Sequence, residues 1–296
     1  DQVAQHRIRE IYRGARGMRF EDFAAAHGLI IRHVEYGAWR RVPTTDHPMK
    51  RNGAYRHLGE VAFVQNHATM SEVSVWHPDD DRDIRIDSSA IARRAAEADR
   101  ARRLAQLAAS AKAQSIIKAC RLSTHPYMAA KGFPDCRGLV TEAVELIIPM
   151  RDCETGAVLG AQKIALIENE WEKKMLFGMR AKGASYRIGS ARAAELWFVE
   201  GYATGLSVDA ALKLLRLSAA VVVCFSAGNL IYVAGKFTGR HYVFADNDAS
   251  RTGEHSAWKT GLPYAMSDEL GQDANDLHQA AGVMAVAKKV MEARSR

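Results

Sequence analysis

Acidic residues follow two apolar segments in the last third of the chain. Glu200 comes directly after one apolar run, and Asp246 and Asp248 form a D-x-D at the end of another. A third acidic pair, Asp273 and Asp276, follows soon after. If these runs are parallel strands, their carboxyl ends open onto one crevice, where ligands bind in α/β sheets. Gathered carboxylates repel one another unless a hard divalent cation lies between them, so the pattern predicts Mg²⁺ and phosphate chemistry.

Each of these acidic groups also has an ordinary structural interpretation. Glu200 alone is typical of a surface carboxylate, whereas a D-x-D at a strand end needs a reason, since the neighbours repel. Asp273 and Asp276 fit the start of a helix, and capping with one oxygen leaves the other available for metal. Residues 226–230 either open a loop beside the crevice or form a plain strand-to-helix turn with Asn229 as the cap.

The segment after Ala194 alternates between apolar strands and helices. The predicted strands are 196–200, 219–225 and 241–245, and the predicted helices are about 203–216, 228–236 and 275–294. Such alternation indicates a parallel sheet with helices on both faces. Gly201 would let the backbone turn sharply after Glu200, and the N–H groups of the next helix would attract anions.

The preceding segment, from about 122 to 192, is predicted to be rich in β-structure. Its strands are 146–150, 158–164 and 174–177. A set of polar side chains on these strands and turns could line a groove for a phosphate backbone, namely Gln162, Lys163, Lys174 and Lys182. The alternative is that these lysines are only solvated.

The first part of the chain divides into a small module and a helix. Residues from about 19 to 78 predict one helix, Phe20 to His27, followed by short strands and turns. The Ala- and Arg-rich segment from about Ser88 to Cys120 predicts one long, mostly solvated helix or two joined helices, whose arginines either touch nucleic acid or belong to a linker. The predicted domains are 1–84, a helical linker 85–120, 121–194 and 195–296.

Composition excludes several classes of protein. The chain has 296 residues, is 48% hydrophobic and carries a net charge of +7, which attracts polyanions. Its four cysteines lack zinc-binding spacing and fit a reduced, cytoplasmic protein, so no zinc is expected. No membrane span or signal peptide is predicted, and the missing initiator Met suggests a fragment of a longer protein. Walker, nucleophile-elbow and dinucleotide-binding motifs are absent from the sequence.

Taken together, these residues resemble the Toprim primases of phages and conjugative plasmids. In the last third the resemblance lies in Val199–Gly205, Ala227–Leu230, Ala245–Asp248 and Asp273–Leu277. Upstream it lies in His125–Gly132, Leu146–Asp152 and Gly160–Ile164, and residues 20–76, with Arg41-Val42-Pro43 and Asn52–Tyr55, are similar to the N-terminal module of that family. The resemblance implies an α/β fold, in which a Toprim domain with a Rossmann-like parallel sheet follows an α+β primase-core subdomain and a small N-terminal α+β module.

The resemblance also implies roles for individual residues. Glu200 would act in acid/base or metal-assisted chemistry, and Asp246 and Asp248 would hold Mg²⁺ or Mn²⁺ with help from Asp273. Nucleotide or template binding would fall to a second set, Gln162, Lys163, Lys174, Lys182 and Asn229. This sequence has Ser226 where the family usually has an acidic residue, and it carries neither a zinc-binding module nor a helicase motor.

Three functions follow as hypotheses. The first is a nucleotidyltransferase, a DNA primase that makes short RNA primers on single-stranded DNA from ribonucleotide triphosphates, with a replicative helicase or a relaxase as a further partner. The second is a Toprim nickase or nuclease, because the same carboxylates can activate water. The third is a non-catalytic single-strand-binding module of a larger protein. A topoisomerase is not expected, since Tyr186, Tyr202 and Tyr232 lack the context of a nucleophile.

Overall fold

The fold is that of a computed structural model, which describes residues 18–59, 61–70, 72–78 and 88–295. The chain divides into two compact units, residues 1–101 and 102–296, and each is described by itself. The predicted boundary between residues 84 and 85 lies outside the described residues, as do the charged run 79–83 and the polar first residues. No helix in the described ranges is long and apolar enough to cross a membrane.

The first unit packs one helix on a small antiparallel sheet. Helix α1 spans Phe20–Ala26, and the strands are β1 (Arg40–Val42), β2 (Gly53–His57), β3 (Ala62–Asn66) and β4 (Ser74–Trp76), in the spatial order β1-β2-β3-β4. Phe20 and Phe23 of α1 are buried against Tyr55, Val64 and Trp76 of the sheet. This arrangement matches the helix and short strands predicted from the sequence.

A long helix, α2, runs from Ser88 to Ala119 and includes the division between the two units. Of the two alternatives expected for this Ala-rich segment, one long helix or two joined helices, the structure has the single helix. Its last turns are not simply solvated, because Ala113 is fully buried against Ile147 and Leu176. The hydroxyl of Ser110 also donates a hydrogen bond to the carbonyl of Val158, at 2.6 Å. The carboxyl end of α2 is therefore part of the second unit.

The second unit is built on one sheet of ten strands. The strands are β5 (Arg121–Ser123), β6 (Gly138–Val140), β7 (Leu146–Asp152), β8 (Val158–Ile167), β9 (Glu170–Met175), β10 (Ala184–Ile188), β11 (Glu195–Val199), β12 (Ala219–Val223), β13 (Arg240–Ala245) and β14 (Tyr264–Met266). The helices are α3 (Pro126–Ala130), α4 (Tyr202–Leu214), α5 (Ala227–Ala234), α6 (Thr252–Thr260), α7 (Ala274–Ala281) and α8 (Val283–Arg294). The strand order is β14-β13-β11-β12-β10-β7-β6-β5, and β8 pairs with β7 and β9.

The predicted parallel sheet with helices on both faces is confirmed. Strands β11 to β14 are mutually parallel, and β10 joins them antiparallel to β12. Trp197 and Val199 of β11 face one core with α4 and α8, whereas Leu196 and Phe198 face a second core with α5 and α6. This alternation follows from the two-residue period of a strand.

Several predicted boundaries were wrong. The strand predicted at 174–177 spans 170–175, and the closing helix predicted at 275–294 is two helices. Gly282 separates them, since its φ of 82° and ψ of 166° are not helical. Six elements of the second unit were not predicted at all, namely α3, α6, β5, β6, β10 and β14. Of these, α6 carries too few apolar residues for a periodic pattern.

Candidate active site

Glu200 and Asp246 lie at the same edge of the sheet. Strands β11 and β13 are parallel neighbours, with Phe198 opposite Val243. The residues that directly follow the two strands therefore emerge side by side at their carboxyl ends. The backbone also continues the ladder beyond β12, because the amide of Phe225 donates to the carbonyl of Glu200, at 2.8 Å. The sequence-based expectation that Glu200 and Asp246 share one crevice agrees with this geometry.

Asp246 is the most perturbed carboxyl group of this edge. Burial, followed in order of importance by the charges of Asp273, Glu200, Asp248 and Asp276, raises its pKa to about 7. Its Oδ1 atom is buried and has no hydrogen-bond partner among the described residues. A buried oxygen without a partner is costly, and four other carboxylates near it make ionisation more costly still. This is the environment that a bound cation would relieve.

Glu200 is half-buried beside the same cluster. Burial raises the pKa of its carboxyl group, and the charge of Asp248 adds to the effect. Both strand-end acids thus hold a proton more readily than a solvated carboxyl group does. A metal ion at this edge would reverse that tendency, because it favours the charged form.

Asp248 differs from Asp246 although they are two residues apart. Its carboxylate accepts hydrogen bonds from the hydroxyl of Ser250 and from the amides of Thr252 (3.3 Å) and Gly253 (3.1 Å). These donors, chiefly Ser250, lower the pKa of Asp248. Asp248 is therefore ionised and holds the amino end of α6, whose unpaired N–H groups favour negative charge.

Asp273 and Asp276 form a capping box at the start of α7. Asp273 Oδ1 accepts from the amides of Asn275 (2.6 Å) and Asp276 (2.9 Å), and Asp276 accepts from the amide of Asp273. The interpretation of Asp273 as a helix cap is thus confirmed. Its Oδ2 accepts from the hydroxyl of Thr204, at 3.0 Å, which ties α7 to α4. Oδ1 already accepts two hydrogen bonds, whereas Oδ2 accepts one and keeps a free lone pair, so capping leaves a metal role open to Oδ2.

Gly253 holds the D-x-D loop close to α6, and sequence reasoning missed it. A Cβ atom at this position would lie 2.3 Å from the backbone oxygen of Asp246. The side-chain amide of Asn247 anchors the other side of the loop by donating to the carbonyls of Ser267 (3.1 Å) and Glu269 (3.0 Å). The available signal was a glycine five residues after Asp248, which in a helix indicates close approach.

Gly201 does not need the conformational freedom that was expected of it. Its φ is −100°, in a region open to other residues. Steric crowding instead requires a glycine at Gly205, in the first turns of α4. A Cβ atom there would lie 2.9 Å from Val223 and 3.1 Å from Ile188. The close approach of α4 to the sheet thus depends on Gly205.

The predicted basic groove falls into separate parts. Lys163 of β8 and Lys174 of β9 are cross-strand neighbours, and each is ion-paired at 2.5 Å, with Glu145 and Glu172 respectively. Gln162 is buried and points to the opposite face of β8, since adjacent strand residues alternate. No hydrogen bond or ion pair within the described ranges joins any of the three to the acidic edge.

Asn229 and Lys182 lie together at the start of α5. The Asn229 amide accepts from the backbone of Gly183 (2.8 Å) and donates to the carbonyls of Ala184 (2.8 Å) and Cys224 (2.7 Å). Lys182 Nζ stands 4.7 Å from the centre of the Tyr232 ring. Asn229 therefore holds the turn before β10 against α5, and its nucleotide-binding role stays a prediction.

The helix cap of α5 is Ser226 rather than Asn229. The Ser226 hydroxyl accepts from the amide of Asn229, at 3.3 Å, so the expectation of Asn229 as the cap was wrong. A serine serves here because its short side chain reaches the third amide of the helix. Ser226 thus has a structural role at the start of α5.

The acidic edge fits a divalent cation, although the side chains do not yet converge. No three His, Cys, Asp or Glu side chains of the described residues already form a metal-binding cluster. The carboxylates nevertheless shift one another's pKa, and the buried Asp246 Oδ1 lacks a partner. Oxygen donors of this kind suit Mg²⁺, which keeps several waters and takes only one or two carboxylates.

A groove of about 730 Å³ lies between α5 and α6, beside the helix that Asp248 caps. The Trp258 ring is 68% exposed and stacks on His255, with ring centres 6.0 Å apart. Arg251 and Lys259 line the same groove. Sequence reasoning missed this surface because it did not predict α6.

Comparison with known proteins now gives the fold class of this site. Residues 195–283 match the family described as the Toprim domain. The chain therefore contains a Toprim domain, which spans β11 to the end of α7. Toprim domains generally bind divalent metal ions such as Mg²⁺, in agreement with the acidic edge.

Two solved structures resemble the chain over 60% of its length. One is the DnaG catalytic core, with 20% sequence identity, a TM-score of 0.36 and 58% of that chain covered. The other is a bacteriophage T7 assembly of lagging-strand DNA polymerase with the primase domains of two gp4 subunits, bound to an RNA/DNA hybrid and dTTP. Its identity is 13%, its TM-score 0.39 and its coverage 92%. The match thus spans less than two thirds of the DnaG core.

Proposed function

We propose that this protein is a DNA primase that makes short RNA primers on single-stranded DNA from ribonucleotide triphosphates. One observation carries the proposal. Asp246 stands at the carboxyl edge of a Toprim sheet with a buried, unpartnered oxygen, among four other carboxyl groups that raise its pKa. Such a site gains most from a divalent cation and so suits phosphoryl transfer.

The acidic residues of this edge would have different roles in the reaction. Asp246 would bind Mg²⁺ or Mn²⁺ directly, while Asp248 and Asp273, already fixed as helix caps, would bind it or its waters. A bound ion neutralises triphosphate charge and lowers the pKa of an attacking hydroxyl group. Glu200, whose pKa is raised by burial and by the charge of Asp248, would accept or return a proton at the reacting oxygen.

Nucleotide and template would lie along the surfaces beside this edge. The groove between α5 and α6 offers Trp258 and His255 for stacking on a base, with Arg251 and Lys259 for phosphates. Lys182 lies beside α5, with its Nζ over the Tyr232 ring. We propose that this groove holds the base next to the reacting phosphate. We also place the protein in the replication or transfer of a phage or plasmid, in the cytoplasm, with a helicase or relaxase as partner.

A paired assay with Mg²⁺ or Mn²⁺ tests the proposal. One reaction contains single-stranded DNA and labelled ribonucleotides, and the other contains supercoiled plasmid alone. We expect short labelled RNA from the wild type and none from Asp246→Asn. Asp268→Asn is the matched control, because its carboxylate is exposed, pairs with Lys289 and should leave synthesis unchanged.

The other outcomes assign the other functions. Nicked plasmid without RNA synthesis would identify a Toprim nuclease, in which the same carboxylates activate water. Single-strand binding that survives Asp246→Asn and Glu200→Gln, with neither product, would identify a non-catalytic module. Either result would overturn the primase proposal.

A further inference from the structure

We propose that the first unit carries its own binding site for single-stranded nucleic acid. The site is a cleft of about 670 Å³ between residues 30–35 and the segment from β1 to β2. Four arginines line it, Arg32, Arg40, Arg41 and Arg51. We call it the arginine cleft. It belongs to the unit without the acidic edge, so it does not rest on the catalytic proposal.

The charges of the arginine cleft are left largely uncompensated. Glu35 pairs with Arg40, at 2.6 Å, and is the acidic residue that lines the cleft. Within the described residues no carboxylate pairs with Arg32, Arg41 or Arg51, and all three are exposed. The surrounding sequence, residues 29–57, holds six Lys or Arg residues and two acidic ones. A concave surface with this imbalance attracts a polyanion.

The cleft is also rigidly constructed. The buried Tyr55 hydroxyl donates to the carbonyl of His33 (3.3 Å) and accepts from the amide of Glu35 (2.9 Å). Ile30 donates through its amide to the carbonyl of Pro43, at 2.9 Å, which joins the two walls. A wall fixed in this way presents its arginines without the cost of ordering a loop on binding.

Exposed rings in the cleft favour single strands over duplex. Trp39 is 46% exposed and lines the cleft together with His33. Behind it, the ring of Phe63 stands 6.4 Å away and supports one face. Stacking needs an unpaired base, and aromatic rings beside cationic side chains are the usual way of holding single strands without sequence preference.

The salt dependence of binding tests this assignment. The full-length protein is titrated into a fluorescent oligo(dT) at several salt concentrations, and affinity is read from anisotropy. The test variant combines Arg32→Gln, Arg41→Gln and Arg51→Gln. Loss of three phosphate contacts should lower the slope of log affinity against log salt by about 2 and the affinity by roughly 10-fold or more.

The control variant loses the same charge elsewhere. Arg137, Arg192 and Lys288 are exposed in the second unit, so Arg137→Gln, Arg192→Gln and Lys288→Gln together match the charge change. This control should bind almost as the wild type does. Equal losses in both triple variants would overturn the proposal, since net charge alone would then explain binding.

Two variants of Trp39 test whether a base stacks on its ring. Trp39→Ala should weaken binding about 5-fold or more, and Trp39→Phe should restore most of it. In Trp39→Ala, the affinity for duplex DNA should fall less than the affinity for single-stranded DNA. Equal losses of affinity for the two would overturn the single-strand assignment. A wild-type protein that binds single strands through the arginine cleft but makes no RNA would contradict only the proposed primase activity.

Discussion

At the scale of single residues, the D-x-D combines two carboxyl groups with opposite tendencies. Asp248 is stabilised as an anion by three donors at the start of α6. Asp246 is buried among like charges, and its pKa is raised to about 7. These two aspartates of one loop, only two residues apart, therefore differ in protonation near neutral pH. The difference arises chiefly from burial, which raises the pKa of Asp246, and from the donors around Asp248, led by the Ser250 hydroxyl, which lower its pKa.

The raised pKa of Asp246 makes stability depend on pH. Below about pH 4 the carboxyl group is protonated in both the folded and the unfolded chain. As pH rises from about 4 to 7, the unfolded chain ionises first, so the folded state loses stability, and the full loss is present above pH 7. With a shift of this size the loss reaches up to about 4 kcal/mol.

Asp246→Asn should therefore stabilise the metal-free protein at pH 8, by about 2 to 4 kcal/mol, and have little effect at pH 4. Urea denaturation in the presence of a chelator at the two pH values measures this. Addition of Mg²⁺ should stabilise the wild type at pH 8 and leave the variant unchanged, because binding to the folded state alone adds stability. A variant less stable than the wild type at pH 8 would contradict the assignment of Asp246.

Residue types and strand ends predicted part of this site. The shared location of Glu200 and Asp246 could be predicted, because an acidic residue directly after a parallel strand lies at the carboxyl edge of the sheet. The cap formed by Asp248 could not, since it depends on a helix that the sequence pattern did not reveal. For Asn229 the sequence position suggested a contact with a ligand. In the structure its side-chain amide forms hydrogen bonds with three backbone groups.

At the scale of elements, α6 determines how the D-x-D loop is placed. Gly253 lets the first turn of this helix lie against the backbone of Asp246. Gly228, in the first turn of α5, has open space around it and so serves as its matched partner. The two glycines stand at similar positions on neighbouring helices but have different steric surroundings.

Gly253→Ala should displace the loop and reduce Mg²⁺-dependent RNA synthesis by at least about 10-fold, which corresponds to about 1.4 kcal/mol in the transition state. The reason is that the new methyl group would meet backbone atoms of Asp246, which cannot move aside as the end of a flexible side chain can. Gly228→Ala should retain activity and even gain a little stability, as alanine favours a helix. Full activity in Gly253→Ala would show that the loop position does not matter.

The exposed face of α6 supports a second expectation at this scale. Trp258→Ala should raise the KM for ribonucleotides or template about 5-fold or more, the contribution expected of one stacked base. Trp258→Phe should preserve most of the affinity. Leu270→Ala removes an equally exposed apolar side chain, 69% exposed against 68%, and should change nothing. Steady-state kinetics of the three variants compare them directly.

At the scale of the whole molecule, the second unit is one sheet rather than two. Strand β10 pairs with β12 on one side and with β7 on the other. The Toprim strands therefore continue into the β-rich half without a break. Alternating strands and helices predicted the parallel half, but the antiparallel β10 that joins the halves is short and was missed. A continuous sheet of this kind should unfold as one cooperative body.

The carboxyl end of the chain closes this body through an ion pair. Arg294 of α8 donates to both oxygens of Glu195, at 2.9 and 3.1 Å, and the Glu195 side chain is 5% exposed. Arg294→Ala would leave a buried carboxylate without its partner, which destabilises by about 3 kcal/mol. Replacing both residues with leucine should recover most of the loss. Lys236→Ala breaks the more exposed pair with Glu154, which solvent screens, and should cost much less stability than Arg294→Ala.

Because β11 lies in the continuous sheet, the effect of Arg294→Ala should reach the far half of the second unit. Trp171 on β9 packs against Tyr127, with ring centres 5.3 Å apart, and hydrogen exchange in β7 to β9 reports on that half. We expect exchange there and in β11 to β13 to accelerate together, by roughly 100-fold for 3 kcal/mol. Acceleration confined to the Toprim strands would mean that the two halves unfold separately although they share hydrogen bonds.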